Sequence, residues 1–430
     1  MKKVAGIVLG VIAAIIVAAI SIYYIRDYQA KRQLVHKHST SFLILSIDEL
    51  LIDNIVPLLR TASNDTLNTG RAKSQFLKDV WHTGLAIPAK LLLFSLPKDP
   101  GIFYSIHQIK DIEDWSRFVN NYSESGPPQQ STDSNTFRRL HRYIQVATKG
   151  DRVVFRFGAT DADWTDEAYA LLDPSENLVA LTQLESYRHV AKKGHMTYWQ
   201  SDGQLAVTAE LADQKLTIDG HGRLGKKIQS GPYSVRKMNS EKTAIAFWSR
   251  LPIQATPIIE ATIARFADGL TTGLFQTPPN YVDLLVSKEL VLQRDSIVTY
   301  EYDDDFNPIE TTTVQTLEVP RIESLWKGGA DLDKQLPDQF FYTLHRYREA
   351  DAVMLTTQEG SPQPLHYEQN PYMFMLRLNM VNWPANWMTA ALRRLQRARF
   401  MATLSAIPNG DDAVTIGGEI VSDESLLSLF

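Results

Sequence analysis

The sequence predicts an α+β protein: one N-terminal transmembrane helix, then two similar modules of antiparallel sheet with helices on one face. Three observations predict this. The run from Val4 to Ile25 is apolar and uncharged. Short apolar strand segments alternate with amphipathic helical ones along the remainder. Two anchor sequences then recur about 200 residues apart, the signature of a duplicated unit.

Taken in order, residues 1–38 read as a cytoplasmic head, a membrane anchor and a basic juxtamembrane segment. As a helix, the run from Val4 to Ile25 would be about 33 Å long, matching a bilayer core of roughly 30 Å. Tyr23 and Tyr24 stand at its end, where aromatic rings favour the interface. A cleaved secretory signal ending at Ala19-Ile20-Ser21 is the competing reading, although the apolar run is long for one. Lys2 and Lys3 on one side face Arg26, Lys31, Arg32 and Lys37 on the other, so flanking charge alone does not orient the helix. The three-residue head points to the N-terminus inside and a periplasmic or otherwise extracytoplasmic body.

The first module, residues 39–230, opens with a strand, Ser41 to Ile47, followed by a helix capped by Asp48. A helix is expected around Ala72 to Trp81. Strands follow at Lys90 to Ser95 and Gly101 to Ile109, and Asp111 caps a helix through Trp115 and Phe118. Residues 123–136 (SESGPPQQSTDSNT) have loop composition. Further strands are predicted at 143–147, 152–157, 168–172 and 178–182, then a helix over 187–192. The hairpin 204–211 and 215–223 closes the module, with its turn at Asp213. The second module, residues 231–430, begins after a polar stretch, Gly225 to Lys242. Its strand Thr243 to Ser249 repeats the opening, Pro257-Ile258-Ile259 matches Pro57-Leu58-Leu59, and Thr415-Ile416-Gly417-Gly418 matches Thr217-Ile218-Asp219-Gly220. Its closing hairpin turns at Asn409-Gly410, a dipeptide that tolerates the positive φ values of a tight turn.

This layout resembles uncharacterised bacterial families with one N-terminal anchor and a body of two strand-helix-meander repeats. The resemblance rests on residues 4–25, Phe42 to Ile55, and the closing segment Glu419 to Leu427. It implies a membrane-anchored body, and such families carry no assigned catalytic positions to transfer.

Composition narrows the chemistry. The 430-residue chain has no Cys, which excludes disulfides, thiolate metal sites and thiol nucleophiles. Residues 1–37 hold six basic side chains and one acidic, which leaves 38 basic against 48 acidic and a net charge of −10 for the rest. An acidic body argues against nucleic acid as a partner. Gly220 to Lys227 imitates a phosphate loop, but Lys227 occupies the place of the Mg²⁺-binding hydroxyl. S-x-x-K at Ser95 to Lys98 and Ser234 to Lys237 falls on a strand end and in the polar stretch, not at a helix start. The acidic run Asp303-Asp304-Asp305 has Pro308 where a calcium loop needs Gly, and reads as a turn between strands 297–302 and 309–316. No catalytic, cofactor or metal residue is assigned.

One segment stands out as an interaction surface: Trp383, Trp387, Arg393, Arg394 and Arg397, a basic and aromatic stretch in an acidic body. The expected function is a membrane-anchored extracytoplasmic binding or scaffold protein of the bacterial envelope. It would touch the bilayer through residues 4–25 and hold a protein or lipid partner. A hydrolase or transferase of envelope polymers, using dispersed Asp, Glu and His residues, is the alternative.

Overall fold

The computed structural model describes residues 21, 23–54, 82–123, 135–158, 163–173, 176–188, 194–225, 228, 231–239, 241–251, 278–302, 308–329, 331–336, 339–340, 342–349, 351–360 and 364–429. They fall into two units, residues 1–213 with 220–222, and residues 214–219 with 223–430.

Unit 1 contains β1 (Leu34–His36), β2 (Ser41–Ser46), β3 (Lys90–Leu96), β4 (Asp99–Gln108), β5 (Asn135–His141), β6 (Ile144–Lys149), β7 (Arg152–Phe157), β8 (Leu178–Ala180), β9 (Met196–Gln200) and β10 (Leu205–Ala212). Its main sheet is antiparallel, in the order β5-β6-β7-β4-β3-β2-β9-β10. Register builds the core. Trp199 lies opposite Phe42, Phe42 opposite Phe94, and Phe94 opposite Tyr104, so one aromatic ladder crosses four strands. All four side chains are buried, and the Phe42 and Trp199 rings stack at 4.8 Å. The helix Thr165–Leu172 covers this ladder with Ala168, Leu171 and Leu172. A second helix, Ile112–Tyr122, starts where Asp111 accepts hydrogen bonds from the N–H groups of Glu113 and Asp114, and buries Trp115 and Val119.

Unit 2 contains β11 (Lys215–Arg223) apart from residues 220–222, β12 (Tyr233–Arg236), β13 (Thr243–Ser249), β14 (Tyr281–Tyr302), β15 (Pro308–Lys327), β16 (Gln339–Phe340), β17 (Tyr342–Thr343), β18 (His345–Glu349), β19 (Ala352–Thr356), β20 (Tyr367–Asn370), β21 (Phe374–Asn379), β22 (Met401–Pro408) and β23 (Ala413–Val421). Its main sheet runs β18-β19-β15-β14-β13-β21-β22-β23. Each unit therefore places its opening strand, β2 or β13, between the next strand and the first of the closing strands. Strand for strand, β6-β7-β4-β3-β2-β9-β10 of unit 1 has the same order as β18-β19-β15-β14-β13-β21-β22 of unit 2.

Two expectations are corrected. The fold class is sheet-dominated rather than α+β with a helical layer: β14 has 22 residues and β15 has 20, whereas the helices Glu185–Arg188, Leu332–Gln335 and Leu426–Leu429 have four each. Residues 168–172, expected as a strand, are helical, and the predicted helix at 72–81 and the repeat anchors Pro57-Leu58-Leu59 and Pro257-Ile258-Ile259 lie outside the described residues. The second correction concerns the anchor. Among the described residues no helix is long and apolar enough to cross a membrane. Of the run from Val4 to Ile25, only Ser21 and residues 23–25 are described, and the helix they belong to continues to residue 31. That continuation is held by charge: Arg26 makes a two-pronged bond to Asp48 at 2.7 and 2.8 Å, and Lys90 meets Asp27 at 3.1 Å. The single-pass membrane reading is corrected on the finding that no described helix is long and apolar enough to cross.

Unit 1 also carries a pH-sensitive group. The buried Ser105 hydroxyl donates to the Leu92 carbonyl at 2.6 Å and lies 2.8 Å from Nε2 of His107, whose ring stands edge-on to Phe155. Burial pulls the His107 pKa down from 6.5 to about 4. Between those values the unfolded chain binds a proton that the folded chain refuses. Stability is therefore full above pH 6.5 and declines as pH falls toward 4, at up to about 1.4 kcal/mol per pH unit. Urea unfolding across this range is expected to show a shallower slope for His107→Gln; an unchanged slope would remove His107 from the account.

Candidate functional site, a projecting ribbon and its foot

The hairpin β14–β15 departs from its counterpart. In unit 1, β3 and β4 are joined across Pro97 and Lys98, and the two strands have 7 and 10 residues. In unit 2 the equivalent strands run on. β13 pairs with β14 over Thr243–Ser249 and Val282–Ser287 only, and β19 pairs with β15 over Glu323–Lys327 only. Beyond these stretches β14 and β15 pair with each other, from Leu290↔Pro320 to Tyr302↔Pro308. At about 3.4 Å per residue that ribbon extends roughly 40 Å. Among the described residues no further strand pairs with either of its edges.

The root of the ribbon is a bulge between Val286 and Leu290, with Pro320 at the same level on the other strand. Proline has no N–H to offer a ladder, so a bulge is where a strand tolerates it. Ion pairs tie this bend down. Lys242 meets Glu289 at 2.5 Å, Arg321 meets Glu323 at 2.6 Å, and Arg236 reaches Glu323 at 2.7 Å. Arg236, only 4% exposed, also grips the fully buried Asp283 through two parallel bonds of 2.8 and 3.0 Å. Asp283 further accepts from the Tyr281 hydroxyl at 2.9 Å and the Leu325 N–H at 2.9 Å. Burial pushes the Asp283 carboxyl above its ordinary range, against the pull of Arg236 and these two donors. Burial opposes the Arg236 charge as well, but Asp283 and Glu323 outweigh it and hold its pKa up. A cavity of about 440 Å³ opens beside this network, lined among others by Lys242, Glu289, Arg321 and His366.

The foot of the ribbon is packed on one face. Gln293 is 8% exposed and donates to the Thr343 and Thr357 carbonyls at 2.7 and 2.8 Å, and Val319 is 1% exposed. Leu292, one residue along and hence on the opposite face, is 65% exposed, and Val314 is 62% exposed.

Part of the segment singled out from sequence meets this foot. The side chain of Asn386 donates to the Glu318 carbonyl of β15 at 2.8 Å, and Trp387 Nε1 donates to the Tyr342 hydroxyl at 2.7 Å. Trp383 and Trp387 are half-buried, with ring centres 6.0 Å apart. Thr389 caps the helix Ala390–Arg397. Arg394 is spent locally on the Ser428 carbonyl, whereas Arg393 and Arg397 are exposed. Asn386 and Trp387 therefore brace this region, and of the three arginines singled out from sequence Arg393 and Arg397 are the exposed ones. Asp303-Asp304-Asp305 lies outside the described residues.

No family model matches the sequence, and no curated protein matches it. Two solved structures of TP0453, crystal forms III and IV, are similar to it at a TM-score of 0.24 and 8% identity. These matches cover 75% and 76% of this chain and 90% and 93% of the TP0453 chains. A likeness at that level carries no argument about function.

Proposed function

We propose that this protein is a non-enzymatic scaffold whose β14–β15 ribbon captures an extended, basic segment of a partner protein. One observation carries the reading: the hairpin that unit 1 closes after Leu96 is drawn out in unit 2 far beyond the strands that flank it. Unit 1 folds the same strand order without such an arm, so folding does not require it. A two-stranded ribbon alone is marginally stable in water, and its edges offer rows of N–H and C=O groups to an incoming strand. Charge selects the partner. Residues 290–302 and 308–320 hold Arg294 against Asp295, Glu301, Glu310 and Glu318, so a second acidic copy is repelled and a basic strand is attracted.

The test uses a synthetic decapeptide of alternating Lys, Val and Thr, with a twin in which Glu replaces Lys. Fluorescence anisotropy is expected to show saturable binding of the Lys peptide only. Equal binding of both peptides, or of neither, would contradict the reading.

A further inference from the structure

We propose that unit 1 binds an organic anion, a carboxylate or phosphate head on a short apolar body, in the cavity between helical residues 23–31, segment 86–89 and the adjoining ends of β4 and β7. The cavity is about 580 Å³, within the range that holds a small-molecule ligand. Its charge is unusual for this chain. Arg32, Lys110 and Arg152 line it, and among the described residues none has a carboxylate within ion-pair distance. Arg32 makes only a ring contact to Tyr28, and Arg152 makes a long 3.5 Å bond to the Leu172 carbonyl. Of the other charged groups at the site, Arg26 is held by Asp48, and Asp151 keeps its negative charge while accepting from the Gln108 amide at 3.3 Å. Against the single Asp151 carboxylate, Arg32, Lys110 and Arg152 leave a net positive lining on one concavity of an acidic body, where focused field lines draw in an anion.

The walls suit the rest of the ligand. Leu34, Ala86, Ile87, Pro88 and Ile106 supply apolar surface beside the cations. The frame is fixed before any ligand arrives. Ala86 N–H donates to the Gln108 carbonyl at 3.1 Å, Ile109 N–H to the Asp151 carbonyl at 2.7 Å, and Lys110 N–H to the Gly84 carbonyl at 2.8 Å. Gly84 sits at φ +74°, and a Cβ there would stand 2.2 Å from the Asp111 carbonyl oxygen, so this close approach requires glycine. A backbone pinned on both sides of Lys110 and next to Arg152 lowers the ordering cost of binding.

Calorimetric titration of the full chain tests this with octyl phosphate kept below its micelle concentration, octanoate, inorganic phosphate and the neutral octyl glucoside. Octyl phosphate and octanoate are expected to bind saturably in the micromolar range. The double variant Lys110→Gln/Arg152→Gln, its fold checked by circular dichroism, is expected to bind them at least tenfold more weakly; Lys110→Glu alone provides a second, charge-reversed test. Absence of saturable binding, unchanged affinity in the variants, or equal binding of octyl glucoside would overturn the proposal. Inorganic phosphate binding as tightly as octyl phosphate would overturn the assignment of the apolar body.

Discussion

Arg236→Met is expected to destabilise unit 2 by about 3–5 kcal/mol, because it strands a buried carboxylate. Asp283 is fully buried, and Arg236 is the cation that meets it, at 2.8 Å. Removing the guanidinium also frees Glu323, leaving Arg321 as its partner. Arg236→Lys keeps the charge but cannot reproduce the parallel pair of bonds, so it is expected to fall between the wild type and Arg236→Met. The double variant Arg236→Met/Asp283→Leu should recover much of the loss, since both buried charges then go together. Urea midpoints for the four proteins check this ordering. Equal midpoints for Arg236→Met and the wild type would show that the network contributes nothing to holding the ribbon root.

Trp199→Ala should cost unit 1 about 3–5 kcal/mol, the range for deleting a large buried aromatic. Trp199 is 1% exposed, stacks on Phe42, and donates through Nε1 to Ser186 at 3.3 Å. Trp199→Phe retains the stack and loses that bond, so a loss of about 1–2 kcal/mol is expected. Hydrogen exchange at the β2 and β9 amides would locate the effect. Protection of those amides unchanged in Trp199→Ala would contradict the ladder as the core of unit 1.

The parts of this fold that were legible in the sequence are those with local signals. Ser41 to Ser46 and Thr243 to Ser249 are short apolar runs and form strands. Asp111 precedes its helix and caps it, and Gly410 takes φ +93° in the last hairpin. Helix Thr165–Leu172 was misread because Ala168, Leu171 and Leu172 form an apolar cluster too short to separate a helical from a strand period. The ribbon was only partly visible. Its outer strands at 297–302 and 309–316 are legible in the sequence, but Gln293-Arg294-Asp295-Ser296 breaks the apolar pattern that would join them to the foot.

The ionic root was illegible for a different reason. Arg236 lies in a stretch that looks like a polar connection, while Asp283 and Glu323 are 47 and 87 residues away. Only the pairing of β14 with β15 and the placement of β12 bring the three together. In the aromatic and basic segment, Trp383 and Trp387 are both half-buried, and Trp387 donates to the Tyr342 hydroxyl, a contact that residue type alone does not announce. The unpaired cations of unit 1 gave no sequence signal, because Arg32, Lys110 and Arg152 are scattered along the chain and meet only through the fold.

The central claim is that the ribbon exists for binding and not for folding. Replacing residues 295–315 with Asn-Gly keeps the Arg294↔Thr316 pair, the Gln293 bonds and buried Val319, and supplies a two-residue turn suited to a hairpin. The decisive measurement is the anisotropy titration of the Lys decapeptide against this shortened protein, alongside its urea midpoint. The account predicts stability within about 1 kcal/mol of the full chain and complete loss of peptide binding. Undiminished binding by the shortened protein, or a collapse of its stability, would contradict it.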